Sequence, residues 1–100
     1  MARLPHVLRA PGHVADVIRE LHPQIKRKLR AALTEIVADP SVGTALRHEL
    51  AGLCSFRLGK FRIIYRVNDR VEADRRIELV AFGPRTRIYE ETYRLVAQGR

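Results

Sequence analysis

The sequence predicts a single α+β domain spanning residues 1–100: a small antiparallel sheet with an N-terminal helical hairpin packed on one face and a short C-terminal helix. Three observations support this prediction. Apolar residues recur at helical spacing between Val14 and Val37. Three strand-like runs then follow with short connections, which favours an antiparallel meander. A last stretch of helical spacing follows Gly83-Pro84, and one hundred residues suffice for one modest core.

The first half of the chain is predicted to hold an edge strand and two helices. Residues 4–9 are the candidate edge strand, and residues 14–21 carry the spacing of a first helix. A second helix begins at Pro23, which suits a first helical turn. It ends at Asp39-Pro40, because the residue before a proline is driven out of the helical region. Its apolar stripe consists of Ile25, Leu29, Leu33, Ile36 and Val37.

The second half is predicted to supply the sheet. Residues 41–52 are expected to form a loop, and the strands are expected at residues 54–58, 60–68 and 76–82. A tight turn at Gly59 and the charged segment 69–75 connect these strands. Residues expected to be buried are Leu29, Leu33, Ile36, Ile63, Tyr65, Leu79 and Ala81. The final helix is expected to begin near Ile88, with Glu90 and Glu91 at its N-terminal end, where the helix dipole favours acids.

The charge balance narrows the class of partner. The net charge is +8 and the isoelectric point is near 10.8. This balance favours nucleic acid, an acidic protein or an anionic membrane surface as the partner. Cys54 is the sole cysteine, which excludes an internal disulfide and a cysteine-rich zinc site. No run reaches transmembrane length, and basic residues and proline stand where a signal peptide needs an apolar core, so we expect a cytoplasmic protein.

Alternation within the predicted strand 60–68 divides its side chains between two faces. One face carries Phe61, Ile63, Tyr65 and Val67, and the other carries Arg62, Ile64 and Arg66. The apolar face can pack on a core while the other face holds guanidinium groups. A guanidinium suits a phosphate because its planar fork donates two parallel hydrogen bonds. The predicted class of ligand is therefore a polyanion.

The order of motifs resembles the RelE/ParE toxin superfamily of bacterial toxin-antitoxin systems. The resemblance rests on R-L-G-K-F-R-I-I-Y (57–65), F-G-P-R (82–85) and I-Y (88–89), with H-P-Q-I-K-R-K (22–28) and L-A-G (50–52) upstream. It covers nearly the whole chain. For a RelE-like member it implies an antitoxin partner in a hetero-oligomer, and cleavage of mRNA on the ribosome.

By this resemblance Arg62, Arg85 and Tyr89 match the residues that hold and cleave the phosphodiester. RNA is cut by its own 2′-hydroxyl, so such an enzyme needs neither a metal nor another cofactor. Fixed guanidinium groups stabilise the charge that grows on the phosphorane, and a tyrosine among arginines can protonate the leaving oxygen. The alternative is that both arginines pair with Glu78 and Glu90 at the surface and that Tyr89 is a core aromatic.

Two further sets of cations are candidate RNA-binding residues. They are Arg57, Lys60, Arg66 and Arg87 near the strands, and Lys26, Arg27, Lys28 and Arg30 on the second helix. The strand set would widen the positive surface along an RNA backbone. The helix set lies at the end where the helix dipole disfavours cations, which hints at a partner such as ribosomal RNA. The alternative for both sets is a solvated charged face.

The chain also departs from the best-known cleaving members of this superfamily. Some of those carry lysines on the strand that here holds Cys54 and Ser55, and others carry a glutamate or histidine base. His48 and Glu49 precede this strand, but their spacing does not identify a base. Three functions stay open: an endoribonuclease, a ParE-like toxin that inhibits DNA gyrase through protein contacts, and a basic nucleic-acid-binding module without toxicity.

Overall fold

A computed structural model describes residues 7–68 and 76–98 and confirms the α+β class. The helices are α1 (Gly12–Arg19), α2 (Pro23–Ala38) and α3 (Ile88–Gln98). The strands are β1 (Val7–Arg9), β2 (Thr44–Ala45), β3 (Cys54–Leu58), β4 (Phe61–Asn68) and β5 (Arg76–Pro84). They form one sheet in the order β1-β5-β4-β3-β2. The predicted connection 69–75 and the start of the predicted edge strand lie outside the described residues.

The sheet is mixed rather than antiparallel throughout. β3, β4 and β5 form the expected antiparallel meander, but β1 pairs parallel to β5. A parallel pair needs a long crossover, and everything from α1 to β4 lies between these two strands in the chain. The predicted loop 41–52 also contains β2, which pairs Thr44 with Ser55. Two residues are too short to give an alternation signal in the sequence.

The N-terminal helices pack together on one face of the sheet, as predicted. Pro23 begins α2, and the side chain of His22 accepts a hydrogen bond from the backbone N–H of Gln24. The buried members of this core are Val14, Leu29, Ala32, Ile36, Ile63, Tyr65, Ile77, Leu79 and Phe82. Leu33 is half-buried against this core while Ala32 is fully buried, so the helix presents its small residue most directly to the sheet.

The other face is covered by α3 and a smaller core. Its buried members are Leu53, Ile64, Ala81 and Ile88. A bulge in β5 turns Leu79 and Ala81, which are two residues apart, to opposite faces of the sheet. Ile64 pairs with Ala81 and Tyr65 pairs with Leu79, so Val80 has no partner on β4. Leu79 and Ala81 are both buried, as predicted, but in different cores. The ring Nε2 of His13 lies 2.9 Å from the carbonyl oxygen of the bulged Val80.

Tyr65 ties the loop after α2 to the sheet. Its hydroxyl donates to the carbonyl of Pro40 at 2.5 Å and accepts from the N–H of Gly43 at 3.0 Å. A Cβ on Gly43 would overlap with this hydroxyl, so glycine permits the close approach. Burial raises the pKa of Tyr65 to about 12. Within the described ranges, no helix has the length and apolar character needed to cross a membrane.

Candidate phosphate site and nucleic-acid interface

Two arginines face each other beneath the start of α3. Arg57 on β3 pairs in register with Arg62 on β4, and both lie on the face that carries Ser55 and Ile64. The Cβ atoms of directly opposed residues are about 4.5–5.5 Å apart, and like charges in such positions destabilise a sheet. Neither guanidinium forms an ion pair with a described carboxylate. The pair therefore concentrates positive charge in one place.

The guanidinium of Arg62 is held by the β3–β4 turn. Its Nη1 donates to the carbonyl of Gly59 at 2.9 Å and to the carbonyl of Phe61 at 2.8 Å. Gly59 has φ +58°, a conformation that glycine adopts without strain, and it reverses the chain directly beside the arginine. Within the described ranges, Nε and Nη2 of Arg62 have no hydrogen-bond partner. The turn therefore holds the guanidinium through Nη1, while Nε and Nη2 can donate to a ligand.

Tyr89 reaches over the sheet from the first turn of α3. Ile88 and Thr92 are buried, so the helix seats its inner side on β5 and leaves Tyr89 at its flank. The Tyr89 hydroxyl lies 3.3 Å from the Oγ of Ser55, which is almost fully buried. Ser55 is opposite Ile64, and Arg62 lies two residues along β4, so the Cβ atoms of Ser55 and Arg62 are about 7–8 Å apart. Tyr89 is 39% exposed, so the alternative of a core aromatic is wrong.

Arg85 lies in the turn that follows β5. Its backbone N–H donates to the carbonyl of Lys60 at 2.8 Å, which joins this turn to the β3–β4 turn. The side chain of Arg85 is exposed, as are those of Lys60 and Arg87. Glu90 pairs instead with Arg94 at 2.7 Å, and Arg62 and Arg85 form no ion pair with Glu78 or Glu90. The surface salt-bridge alternative for both arginines is therefore wrong.

The structure separates the remaining predicted cations from this site. Arg66 lies four residues along β4 from Arg62, about 13 Å away, and lines a cavity of about 520 Å³ with Glu78 and Leu95. The set on α2, which comprises Lys26, Arg27, Lys28 and Arg30, belongs to the helix on the opposite face of the sheet. These two groups can extend a binding surface but do not reach the Arg57–Arg62 pair.

Sequence reasoning missed two members of the site. The sequence predicts Arg57 only as part of the wider positive surface, and it marks Ser55 only as a departure from the family pattern. Both follow from the β3–β4 register: a tight turn at Gly59 sets Arg57 against Arg62 and turns Ser55 to the same face. Cys54 points to the opposite face against Tyr65, and burial raises the pKa of its thiol.

The candidate bases before β3, His48 and Glu49, form no side-chain hydrogen bond or ion pair with Arg57, Arg62 or Tyr89 within the described ranges. His48 is exposed in a short 3₁₀ turn with φ +57°, a conformation that histidine adopts more readily than most residues. Glu49 lines the cavity beside Arg66, at the far end of α3 from Tyr89. In the ranges 7–68 and 76–98, no group of three or more histidine, cysteine, aspartate or glutamate side chains is positioned to hold a metal ion.

Comparison with known proteins identifies the fold and a family model. Residues 9–89 match the model described as the ParE toxin of the type II toxin-antitoxin system parDE. Among solved structures, the toxin-antitoxin complex RelBE2 from Mycobacterium tuberculosis contains a chain 27% identical, with TM-score 0.70; the match covers 82% of this chain and 100% of that one.

Two structures with lower sequence identity share the fold. The free state of an Escherichia coli RelE mutant matches with TM-score 0.74 at 17% identity, over 96% of this chain and 98% of that one. The archaeal RelE–RelB complex from Pyrococcus horikoshii matches with TM-score 0.65 at 21% identity, over 84% and 99%. No curated protein gives a significant match.

Proposed function

This chain belongs to the ParE toxin family of type II toxin-antitoxin systems, and we propose that within this family it acts as a metal-independent endoribonuclease that cleaves mRNA on the ribosome. One observation carries the proposal. Arg57 and Arg62 stand directly opposite each other, without a carboxylate partner among the described residues, on the same face as the Tyr89–Ser55 hydroxyl pair. Such an arrangement costs stability in the free domain, and a bound phosphate would remove that cost.

The reaction proposed for this site is an internal transfer. The 2′-oxygen of the substrate attacks the adjacent phosphorus, a 2′,3′-cyclic phosphate forms, and the bond to the 5′-oxygen breaks. The 2′-hydroxyl proton leaves to a base, and the departing 5′-oxygen takes up a proton. Negative charge grows on the non-bridging oxygens at the transition state, so fixed cationic donors act most strongly there.

The chain offers donors for the phosphate oxygens and for the departing 5′-oxygen. Arg62 is anchored through Nη1, so its other nitrogens can bind a non-bridging oxygen without a large loss of side-chain freedom. Arg57 can bind the second oxygen from the neighbouring strand, and Arg85 can contact a flanking phosphate from the adjoining turn. Tyr89 can supply the proton to the 5′-oxygen, with Ser55 orienting its hydroxyl.

The proposed function includes a second partner of this chain, an antitoxin. The structures similar to this chain include the RelBE2 toxin-antitoxin complex and the RelE–RelB complex. A net charge of +8 and an open arginine pair favour a partner with acidic side chains, since complementary charge accelerates association and suppresses wrong partners. We propose that a small cognate antitoxin binds this domain in a hetero-oligomer and neutralises its toxicity.

The second candidate function is inhibition of DNA gyrase through protein contacts, without cleavage. The description of the matching family model, a ParE toxin, favours it, and so does the neutral Ser55 where some cleaving members carry a lysine. The two candidates make opposite predictions for the arginine pair. A nuclease needs Arg57 and Arg62 for catalysis, whereas a gyrase inhibitor needs only a surface that binds gyrase.

Induced expression in bacteria, followed by primer extension on a reporter mRNA, tests the proposal. We expect new 5′ ends within translated codons when the wild-type chain is expressed, and none for Arg62→Ala. Lys28→Ala, on the opposite face of the sheet, should keep the cleavage chemistry and serves as the matched control. Intact mRNA together with loss of DNA supercoiling would favour the gyrase candidate.

A further inference from the structure

An exposed pair of tyrosines runs along the flank of α3. Tyr89 is 39% exposed. Tyr93 is 51% exposed, the largest fraction among the exposed large hydrophobic residues of the described ranges. Residues four apart on a helix lie on one side, with Cβ atoms about 5–6 Å apart. The two rings therefore present neighbouring aromatic surfaces on the same side of α3, and Tyr89 marks that side by its contact with Ser55.

Tyr93 makes no hydrogen bond, ion pair or ring contact through its side chain in the described part of the fold. The inner side of α3 is formed by Ile88, Thr92, Leu95 and Val96, which are buried or packed on the small core. The described ring pair is Phe61 with Phe82, on the other face of the sheet. The Tyr93 hydroxyl has no hydrogen-bond partner among residues 7–68 and 76–98.

The direction of α3 aligns the tyrosines with the arginine pair. The helix begins above Gly83, where a Cβ would lie 3.3 Å from Ile88 Cδ1, and Gly83 is the register partner of Arg62. Its other end lies at the cavity wall, where Leu95 and Val96 meet Val80. Starting from the β3–β4 turn, the order on this face is therefore the arginine pair, then Tyr89, then Tyr93.

We propose that Tyr93 forms a base-stacking subsite for single-stranded RNA, next to the phosphate held by Arg57 and Arg62. This inference rests on the proposed ribonuclease function and adds a positioning residue to it. A row of cations followed by exposed rings matches the two surfaces of a single strand, because the backbone is anionic and each unpaired base has a π-face. A duplex does not fit, since its bases are already stacked.

Single-turnover cleavage of mRNA on programmed ribosomes tests this subsite. Tyr93→Leu removes the ring at a residue that is 51% exposed, Tyr93→Phe keeps the ring, and circular dichroism checks that both variants fold. Loss of one stacked base corresponds to about 5- to 150-fold in binding. We therefore expect the half-saturating toxin concentration to rise by about that factor for Tyr93→Leu, with the maximal rate nearly unchanged and Tyr93→Phe close to wild type.

Abasic substitution in the mRNA identifies the stacked base. Nucleotides near the cleavage point are made abasic one at a time. At one position we expect the wild-type toxin to lose as much affinity for the mRNA as Tyr93→Leu loses on intact mRNA. Combining that abasic position with Tyr93→Leu should cause no further loss. Additive losses at every position would overturn the subsite.

The other outcomes separate the two proposals. If Tyr93→Leu cleaves like wild type while Arg62→Ala does not, the subsite is wrong and the proposed ribonuclease function stands. If Tyr93→Leu keeps RNA affinity but loses affinity for the antitoxin, the surface binds protein and the subsite is wrong. If the wild-type chain cleaves no mRNA, both proposals are wrong.

Discussion

Arg57 and Arg62 occupy directly opposed positions on β3 and β4, and neither is neutralised by a carboxylate among the described residues. A fold selected for stability alone has little reason to oppose two like charges in this way. The Tyr89 hydroxyl and Ser55 lie on the same face, two residue pairs further along. The repulsion between the two arginines destabilises the free domain locally, and the predictions about function follow from this feature.

Removal of either arginine should separate stability from activity. Arg57→Ala relieves like-charge repulsion, so we expect its free energy of unfolding to stay unchanged or rise by about 0.2–1 kcal/mol. Arg62→Ala relieves the same repulsion but also loses two hydrogen bonds to the β3–β4 turn, so we expect no gain in its free energy of unfolding. Each should lower cleavage about 10²- to 10³-fold, as loss of one transition-state donor does. Urea unfolding and single-turnover cleavage on the same preparations measure both quantities. A variant that loses stability and activity together would point to a structural role.

Replacement of the hydroxyl pair should affect proton transfer. Tyr89→Phe keeps the ring and removes the proton donor, so cleavage should slow by about 10²- to 10⁴-fold without unfolding the domain. Ser55→Ala leaves the tyrosine proton in place and removes its orienting partner, so a smaller loss is expected. Single-turnover rates with circular dichroism as the folding control check both. Equal cleavage by wild type and Tyr89→Phe would assign the proton transfer to another group.

Tyr65 should make stability depend on pH at the alkaline end. Its folded pKa of about 12 exceeds the ordinary value of 10.0, so the folded state holds this proton more tightly. The stabilisation is therefore fully present below pH 10 and is lost as the pH rises toward 12. Tyr65→Phe should cost about 1–3 kcal/mol at neutral pH, because Pro40 and Gly43 lose their partner. Urea unfolding from pH 8 to 11 should show a steeper decline for wild type than for Tyr65→Phe.

The cations on α2 should act on binding alone. Lys28 lies across the sheet from the arginine pair. We therefore expect Lys28→Ala to weaken ribosome binding and to leave the maximal cleavage rate unchanged. Removing one phosphate contact should also lower the slope of log affinity against log salt by about one. Sedimentation of toxin with ribosomes over a range of salt concentrations measures this slope. Unchanged affinity at every salt concentration would show that this helix face is solvated and does not bind the ribosome.

Periodicity and turn signals were enough to predict most of the fold. Pro23 and Asp39-Pro40 bound α2, and Gly59 marks the β3–β4 turn, because proline and glycine restrict the backbone locally. The parallel β1–β5 pair and the bulge at Val80 were not predictable in this way, since both depend on contacts between distant segments. For the same reason the sequence indicated Arg62 and Tyr89 but not the roles of Arg57 and Ser55, which follow from strand register.

The most direct test is cleavage of a defined mRNA on programmed ribosomes by purified toxin, with and without a chelator. The proposed function predicts cleavage by wild type that the chelator does not affect. Cleavage should fall about 10²- to 10³-fold in Arg57→Ala and Arg62→Ala, fall less in Arg85→Ala, which loses a contact to a flanking phosphate, and be retained at saturation in Lys28→Ala. Intact mRNA, chelator-sensitive cleavage, or full activity in the three arginine variants would contradict it. A gyrase supercoiling assay on the same preparations would then decide for or against the second candidate function.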